Sequence, residues 1–180
     1  MIREFFTKTK SSNNKARFAF IASLSLAFLL IMISTLVPHY KGLVSLVGIS
    51  LLSVALVIYT KYIAAVYYYD IIYGSDNVPL FVVRQQTGNK YTTLCSIALH
   101  EITKIDKETA KQRKQHKTPF EIKKYSYLPT IDPAQSYRIT TVGRYQQAEI
   151  LIECSEEFAE VLSSYVKEAK ENVISNDDEY

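Results

Sequence analysis

Phe18–Val37, FAFIASLSLAFLLIMISTLV, and Gly42–Tyr59, GLVSLVGISLLSVALVIY, are two apolar runs without a charged residue, separated only by Pro38-His39-Tyr40-Lys41. Each is close to the roughly 20 helical residues that cross the hydrocarbon core of a bilayer. So short a connection leaves room for little but an antiparallel helical hairpin. The chain therefore reads as an integral membrane protein, with everything beyond Tyr59 carried on a two-span anchor. A cleaved secretory signal is the competing reading of the first run. Its apolar stretch exceeds the about 7–15 residues of a signal's apolar region, and Ser34-Thr35-Leu36-Val37-Pro38 makes a poor cleavage site.

Charge around the spans orients them. Arg3, Lys8, Lys10, Lys15 and Arg17 precede the first span against the single acid Glu4, the turn carries only Lys41, and Lys61 follows the second span. Positive flanks stay on the cytoplasmic side. The expected topology is thus a multi-pass cell-membrane protein with both termini cytoplasmic. Tyr59, Lys61 and Tyr62 are the expected interfacial anchors, since Tyr favours the membrane–water boundary. Neither span holds a charge, so a proton relay or ion pathway has no candidate residue, which argues against a transporter or channel acting alone. Ala19, Ser23 and Ala27 recur every fourth residue, and Ser45, Gly48 and Ser53 are the economical partners for close helix approach. Self-association as a homo-oligomer is the other use of such a stripe.

Working outward, residues 1–17 read as a polar, basic segment, flexible or interfacial, with Phe5 and Phe6 at headgroup level. The spans and their turn occupy 18–60, a cytoplasmic domain 62–172, and an acidic disordered tail 173–180. Val66–Tyr73, rich in Tyr, Val and Ile, reads as a strand starting almost at the membrane. Leu80–Gln86 and Tyr91–Leu99 flank Thr87-Gly88-Asn89-Lys90, a hairpin signal. Ile97–Asp106 reads as a continuing strand. Lys104–Lys124 reads as a long basic loop, broken by Pro119, with room for one helical turn. Lys123–Leu128, Tyr137–Val142 and Arg144–Cys154 are further strands. Ser155 then caps a helix over Glu156–Glu171, with acids in its first turn and Phe158, Val161, Leu162, Tyr165, Val166 and Ala169 at helical spacing.

This order of elements, two membrane helices, a Tyr-rich strand, and a strand Ala148–Cys154 running into a terminal helix, resembles small bacterial membrane proteins that carry a pleckstrin-homology-like domain after a helical hairpin. The resemblance implies an α+β fold: a transmembrane hairpin followed by a small PH-like β-barrel or sandwich closed by a C-terminal amphipathic helix. It also implies a non-catalytic binding role, toward phospholipid headgroups, peptides or proteins.

Chemistry-bearing patterns are sparse. His39, His100 and His116 have no partner at zinc-protease spacing, and no nucleophile elbow, P-loop or dinucleotide fingerprint occurs. Cys95 and Cys154 lie far from any ligand at metal spacing and read as packing residues, reduced in the cytoplasm. No enzyme, metal or cofactor is expected. Lys104, Lys107, Lys111, Arg113, Lys114, Lys117, Lys123 and Lys124, set against Asp106, Glu108 and Glu121, form the one charged feature with an evident use. They are the candidate lipid- or partner-binding residues, since each cation near an anionic leaflet gains about 1 kcal/mol. Nucleic acid is not expected. Of the 21 Lys and Arg, seven precede Tyr62, and of the 18 acids only Glu4 does, so the domain is net acidic. The expected function is a membrane-proximal protein-interaction or accessory module with a protein partner at the inner membrane face. The alternative is anionic-lipid sensing through the segment 104–124.

Overall fold

A computed structural model describes residues 5–9, 13–74, 77–116, 122–143 and 147–177. The chain divides into two compact units, Ser11–Ala65 and a second formed by Met1–Lys10 together with Val66–Tyr180. The fold class is α+β, a pair of apolar helices followed by β-sheets.

In the first unit, helix α1 spans Asn14–Leu36 and α2 spans Lys41–Ile58, joined by a 3-10 turn over Pro38–Tyr40. Helix α1 starts before the apolar run because Asn13 caps it, its Oδ1 accepting from the Ala16 amide at 3.2 Å. Both helices are long and apolar enough to cross a membrane, by length and composition. Their seam follows a repeat of four and three residues. Ala16, Phe20, Ser23, Ala27, Leu30 and Ser34 on α1 and Val44, Gly48, Leu51, Ala55 and Ile58 on α2 are the covered positions. At its tightest point a Cβ on Gly48 would sit 2.9 Å from Ile31 Cγ1 and 3.4 Å from the Ala27 carbonyl oxygen. Of the small residues expected to mediate close approach, Ser23, Ala27 and Gly48 lie on this seam, and one turns away from it. Ser53 faces outward, its hydroxyl donating to the Ile49 carbonyl. Ser23, Ser34, Ser50 and Thr60 likewise donate to carbonyls of their own helices, so those hydroxyls need no water. A π-turn over Tyr59–Ile63 ends α2.

Among the described residues, the second unit holds two four-stranded sheets. Strands β1 (Phe5–Thr9), β2 (Ala65–Tyr73), β3 (Pro79–Thr87) and β4 (Lys90–Ala98) lie side by side in that order. Strands β5 (Ile102–Thr109), β6 (Lys123–Ser126), β7 (Gln135–Val142) and β8 (Gln147–Ile152) form the other sheet in the order β5-β7-β8-β6, with β6 parallel to β8. The N-terminal segment, expected to be flexible or interfacial, instead supplies β1, antiparallel to β2 with Phe5 opposite Ile71 and Thr9 opposite Tyr67. The hairpin is thus inserted between two paired strands of one sheet. The strand expected over Ile97–Asp106 is broken by a 3-10 turn at Leu99–Glu101, which anchors on the fully buried Leu99 and starts the second sheet.

Alternate residues of both sheets build the core: Tyr67, Tyr69 and Ile71 on β2, Phe81 and Val83 on β3, Ile139 on β7, Ile150 and Ile152 on β8. Helix α4 (Glu156–Asp177) begins where expected, Ser155 Oγ accepting from the Phe158 amide. It buries Phe158, Ala159, Leu162, Val166 and Ala169, packs beside the Leu99–Glu101 turn, and brings the Phe158 ring to 6.5 Å from that of Tyr69. The helix continues past Glu171 into the segment expected to be a disordered tail. Val173 and Ile174 extend the helical spacing of Val166 and Ala169, which is the sequence reason.

Candidate functional site

The basic segment is not one loop. Lys104 and Lys107 lie on β5, and Lys111, Arg113 and Lys114 on a short helix α3 (Ala110–Gln115). Lys123 and Lys124 lie on the edge strand β6, while Lys117 falls outside the described residues. Helix α3 forms because Thr109 and Gln112 make a capping box: Gln112 Oε1 accepts from the Thr109 amide at 2.9 Å, and Thr109 Oγ1 from the Gln112 amide. Most of the cations are answered internally. Lys104 pairs with Asp106 at 2.8 Å and Lys107 with Glu156 at 2.7 Å, a hydrogen bond that raises the Lys107 pKa. Arg113 is largely buried and donates to Asp132 at 2.9 Å, to Ser136 and to the Pro133 carbonyl, which rivets α3 to the start of β7. Lys111, Lys123 and Lys124 have no carboxylate at ion-pair distance among the described residues.

Beneath α3 lies a feature that sequence reasoning missed. Arg138, 3% exposed, donates through Nη2 to Glu108 and through Nη1 to Glu149, both at 2.9 Å, and both carboxylates are buried. The register explains the geometry. Arg138 stands opposite Asp106 on β5 and Leu151 on β8, so Glu108 and Glu149 are its diagonal neighbours on either side. His116, just after α3, reaches Glu149 at 3.1 Å. Alternation along the strands assigns these polar residues to a solvent face, whereas α3 and its riveting arginine cover that face. The Thr109-x-x-Gln112 spacing was the available signal. An ionic face buried in this way holds only while every charge is paired. Arg138 Nε has no hydrogen-bond partner among the described residues.

Between α3 and β5 an open groove of about 440 Å³ is lined by Asp106, Lys107, Glu108, Gln112, Gln115 and His116. No group of three or more His, Cys, Asp or Glu able to hold a metal occurs among the described residues. His39 stacks edge-on against Tyr40 in the turn of the apolar hairpin, and His100 is exposed on the Leu99–Glu101 turn. Burial pushes the Cys95 thiol up to about 11 and that of Cys154 to about 12, so neither is a poised nucleophile. The tyrosines divide between packing and surface. Tyr69 is buried, donating to the Tyr127 carbonyl at 2.7 Å, and burial drives its phenol pKa far up. Tyr125 and Tyr127 stack at 6.3 Å, and Tyr127 Oη reaches the Leu94 carbonyl. Tyr59 lies 5.6 Å from Phe20 ring to ring, and Lys61 Nζ stands 5.3 Å over the Tyr62 ring, within the π-turn.

Set against known proteins, the chain matches no family model and no curated protein at a significant level.

Proposed function

We propose that this chain is an integral membrane protein whose second unit, a PH-like sandwich with a C-terminal helix, serves as a non-catalytic protein-interaction or accessory module at the inner membrane face. The membrane reading is supported by the outward faces of the helix pair, where Phe18, Ile21, Phe28, Leu29, Met32, Leu43, Leu46 and Val47 are exposed. Water does not tolerate an apolar surface of that extent, and lipid does. The pairing of β1 with β2 supports a shared side for both termini. One strand precedes the first span and the other follows the second, so two crossings return the chain to the face where it began. The excess of cations before Phe18 makes that face cytoplasmic. The PH-like reading rests on the two four-stranded sheets followed by a helix that packs an apolar face.

The observation that carries protein interaction over lipid sensing is the internal neutralisation of the basic segment by Asp106, Glu156 and Asp132. Photo-crosslinking of the full chain in its native membranes, with mass spectrometry of the adducts, is the test. A stoichiometric partner supports the module; recovery of the protein alone contradicts it. The lipid alternative retains Lys111, Lys123 and Lys124, which have no ion-paired carboxylate among the described residues. Their joint replacement by Gln should abolish salt-sensitive binding to anionic vesicles on that reading and leave it unchanged on the preferred one.

A further inference from the structure

The β3–β4 turn has a position in the sheet that its sequence alone does not reveal. Tyr68 Oη donates to Gln86 Oε1 at 2.7 Å, and Arg84 pairs with Asp70, so the neighbouring strands β2 and β3 run with Tyr68 within reach of Gln86 and Asp70 within reach of Arg84. The short return between them, closed by the Gly74 amide on the Val78 carbonyl at 2.9 Å, is antiparallel and by itself sets a register that brings β3 two residues nearer the start of β2. Carried to the end of β3, the side-chain contacts set Thr87 beside Tyr67 and the backbone bond sets it beside Ala65, within the first three residues of β2 in either case. In β4, Lys90 stands opposite Thr87 and Tyr91 opposite Gln86, and the Tyr91 ring meets that of Tyr68 at 5.8 Å. The Thr87–Lys90 turn is therefore level with the first residues of β2.

Those first residues are tethered. Val66 is the third residue after Ile63, where the π-turn that ends α2 stops. At about 3.3 Å per extended residue, Val66 lies within roughly 10 Å of Ile63. Covalent connectivity alone sets this bound, whatever the arrangement of the two units. The helix Lys41–Ile58, at 1.5 Å per residue, is about as long as the roughly 30 Å hydrocarbon core is thick, which leaves the π-turn in the headgroup layer.

The turn itself is open. A Cβ built on Gly88 would meet nothing within 4 Å, and Gly88 at φ +60° occupies the first central position of a two-residue hairpin loop. Asn89, Lys90, Tyr91, Thr92 and Thr93 are all exposed, Tyr91 by 61%. A projecting tip that joins a Tyr to a Lys, with no carboxylate on it, has the composition favoured at a membrane–water boundary.

We propose that the Thr87–Lys90 turn, with Tyr91 beside it, is a second membrane contact of this chain, seated in the headgroup layer of the same bilayer that the apolar hairpin crosses. The proposal rests on the membrane reading above and goes beyond it, because neither the basic segment nor the spans supply this contact. Its effect is to hold the sheet by two points, the chain at Val66 and the tip at Asn89, and so to fix which face of the domain meets a partner.

The protein contains no Trp, so single-Trp variants report position cleanly. Full-length chain carrying Asn89→Trp, Tyr91→Trp, Tyr73→Trp or Phe28→Trp is reconstituted into phosphatidylcholine–phosphatidylglycerol vesicles with and without acyl-brominated lipid. The expected result is strong quenching at position 28, loss of emission with a blue shift at 89 and 91, and no change at 73, the far end of β2. Quenching at 28 with none at either 89 or 91 overturns the second contact and leaves the membrane reading standing. Equal quenching at 73 and 89 also overturns it, since contact would not be confined to the tip. Absence of quenching at 28 removes the membrane reading and this proposal together. The tip is exposed, and two reporters within it keep the result independent of one variant's folding.

Discussion

The helix pair and the second unit hide opposite chemistries. In the hairpin the most covered residues are small, Ala16, Ala27, Ser34, Gly48 and Ala55, while Phe18, Phe28, Leu29, Leu43 and Leu46 face outward. In the second unit the fully buried residues include Tyr69, Phe81, Ile71, Leu99, Ile102, Ile139 and Ile150, and beside them an arginine held by two glutamates. The contrast is the one expected if the hairpin lies in lipid and the second unit in water, as proposed above. Within lipid, nothing is gained by removing apolar surface from the surroundings, so helices hold together through close backbone approach and internal hydrogen bonding. In water, large apolar area drives folding, and a buried ion pair survives only when fully matched.

Breaking the charge matching is the sharpest way to test the aqueous half. Arg138→Ala removes the guanidinium that pairs Glu108 with Glu149 beside α3, and the expected loss of stability is about 3–5 kcal/mol. Hydrogen–deuterium exchange should show it as lost protection in β5, β7 and β8 with the hairpin amides unaffected. Replacing the whole set, Glu108→Gln with Arg138→Met and Glu149→Gln, should restore much of that protection. If the single variant leaves exchange unchanged, the triad is not the buried, interdependent unit described.

The complementary variant attacks the lipid half. Gly48→Leu forces a side chain against Ile31 and the Ala27 carbonyl, with an expected cost of about 1–3 kcal/mol from overpacking. Disulfide trapping between cysteines placed at Leu30 and Ser45 should slow, while exchange in the sheets stays as in the parent.

A smaller effect distinguishes the two regions by pH. Burial raises the Glu153 carboxyl above its ordinary value of 4.5, against hydrogen bonds from the Thr130 amide and hydroxyl. The folded state thus holds this proton more tightly than the unfolded chain. Its contribution to stability is present below pH 4.5 and declines as pH rises toward the raised folded value. Thermal melts of the parent and Glu153→Gln should diverge across that window, the variant lacking the decline. Smallest of all, joint replacement of Lys111, Lys123 and Lys124 by Gln should shift stability by no more than about 0.5 kcal/mol, because they are surface charges with no carboxylate at ion-pair distance among the described residues. A larger change in the melt would show that they have a structural role.

Much of this architecture is legible from residues. The uncharged runs around Pro38 announce the helix pair, Thr87-Gly88-Asn89-Lys90 the turn, and Ser155 with two following glutamates the last helix. What escaped was non-local. Nothing in Phe5–Thr9 by itself distinguishes a sheet strand from a polar leader; its role depends on Tyr67–Ile71 waiting beyond the inserted hairpin. The segment 104–124 reads as a loop with room for one helical turn, and its lysines and glutamines carry no apolar stripe, so only the capping box marks where helix α3 falls. The candidate cations on it look alike in sequence, yet Arg113 is a largely buried rivet and Lys111 an exposed side chain. That difference is set by Asp132 and Ser136, which reach Arg113 only once β7 has formed.

The central claim is that a membrane hairpin is inserted between paired strands, so that both ends of the chain share one face. Single-cysteine accessibility tests it most directly. In a Cys95→Ser, Cys154→Ala background, His39→Cys, Lys8→Cys and Lys167→Cys are probed with a membrane-impermeant maleimide on intact and then permeabilised cells. The account predicts labelling at position 39 in intact cells, and at 8 and 167 only after permeabilisation. Labelling of 8 and 167 from opposite faces would contradict it, because β1 could not then pair with β2.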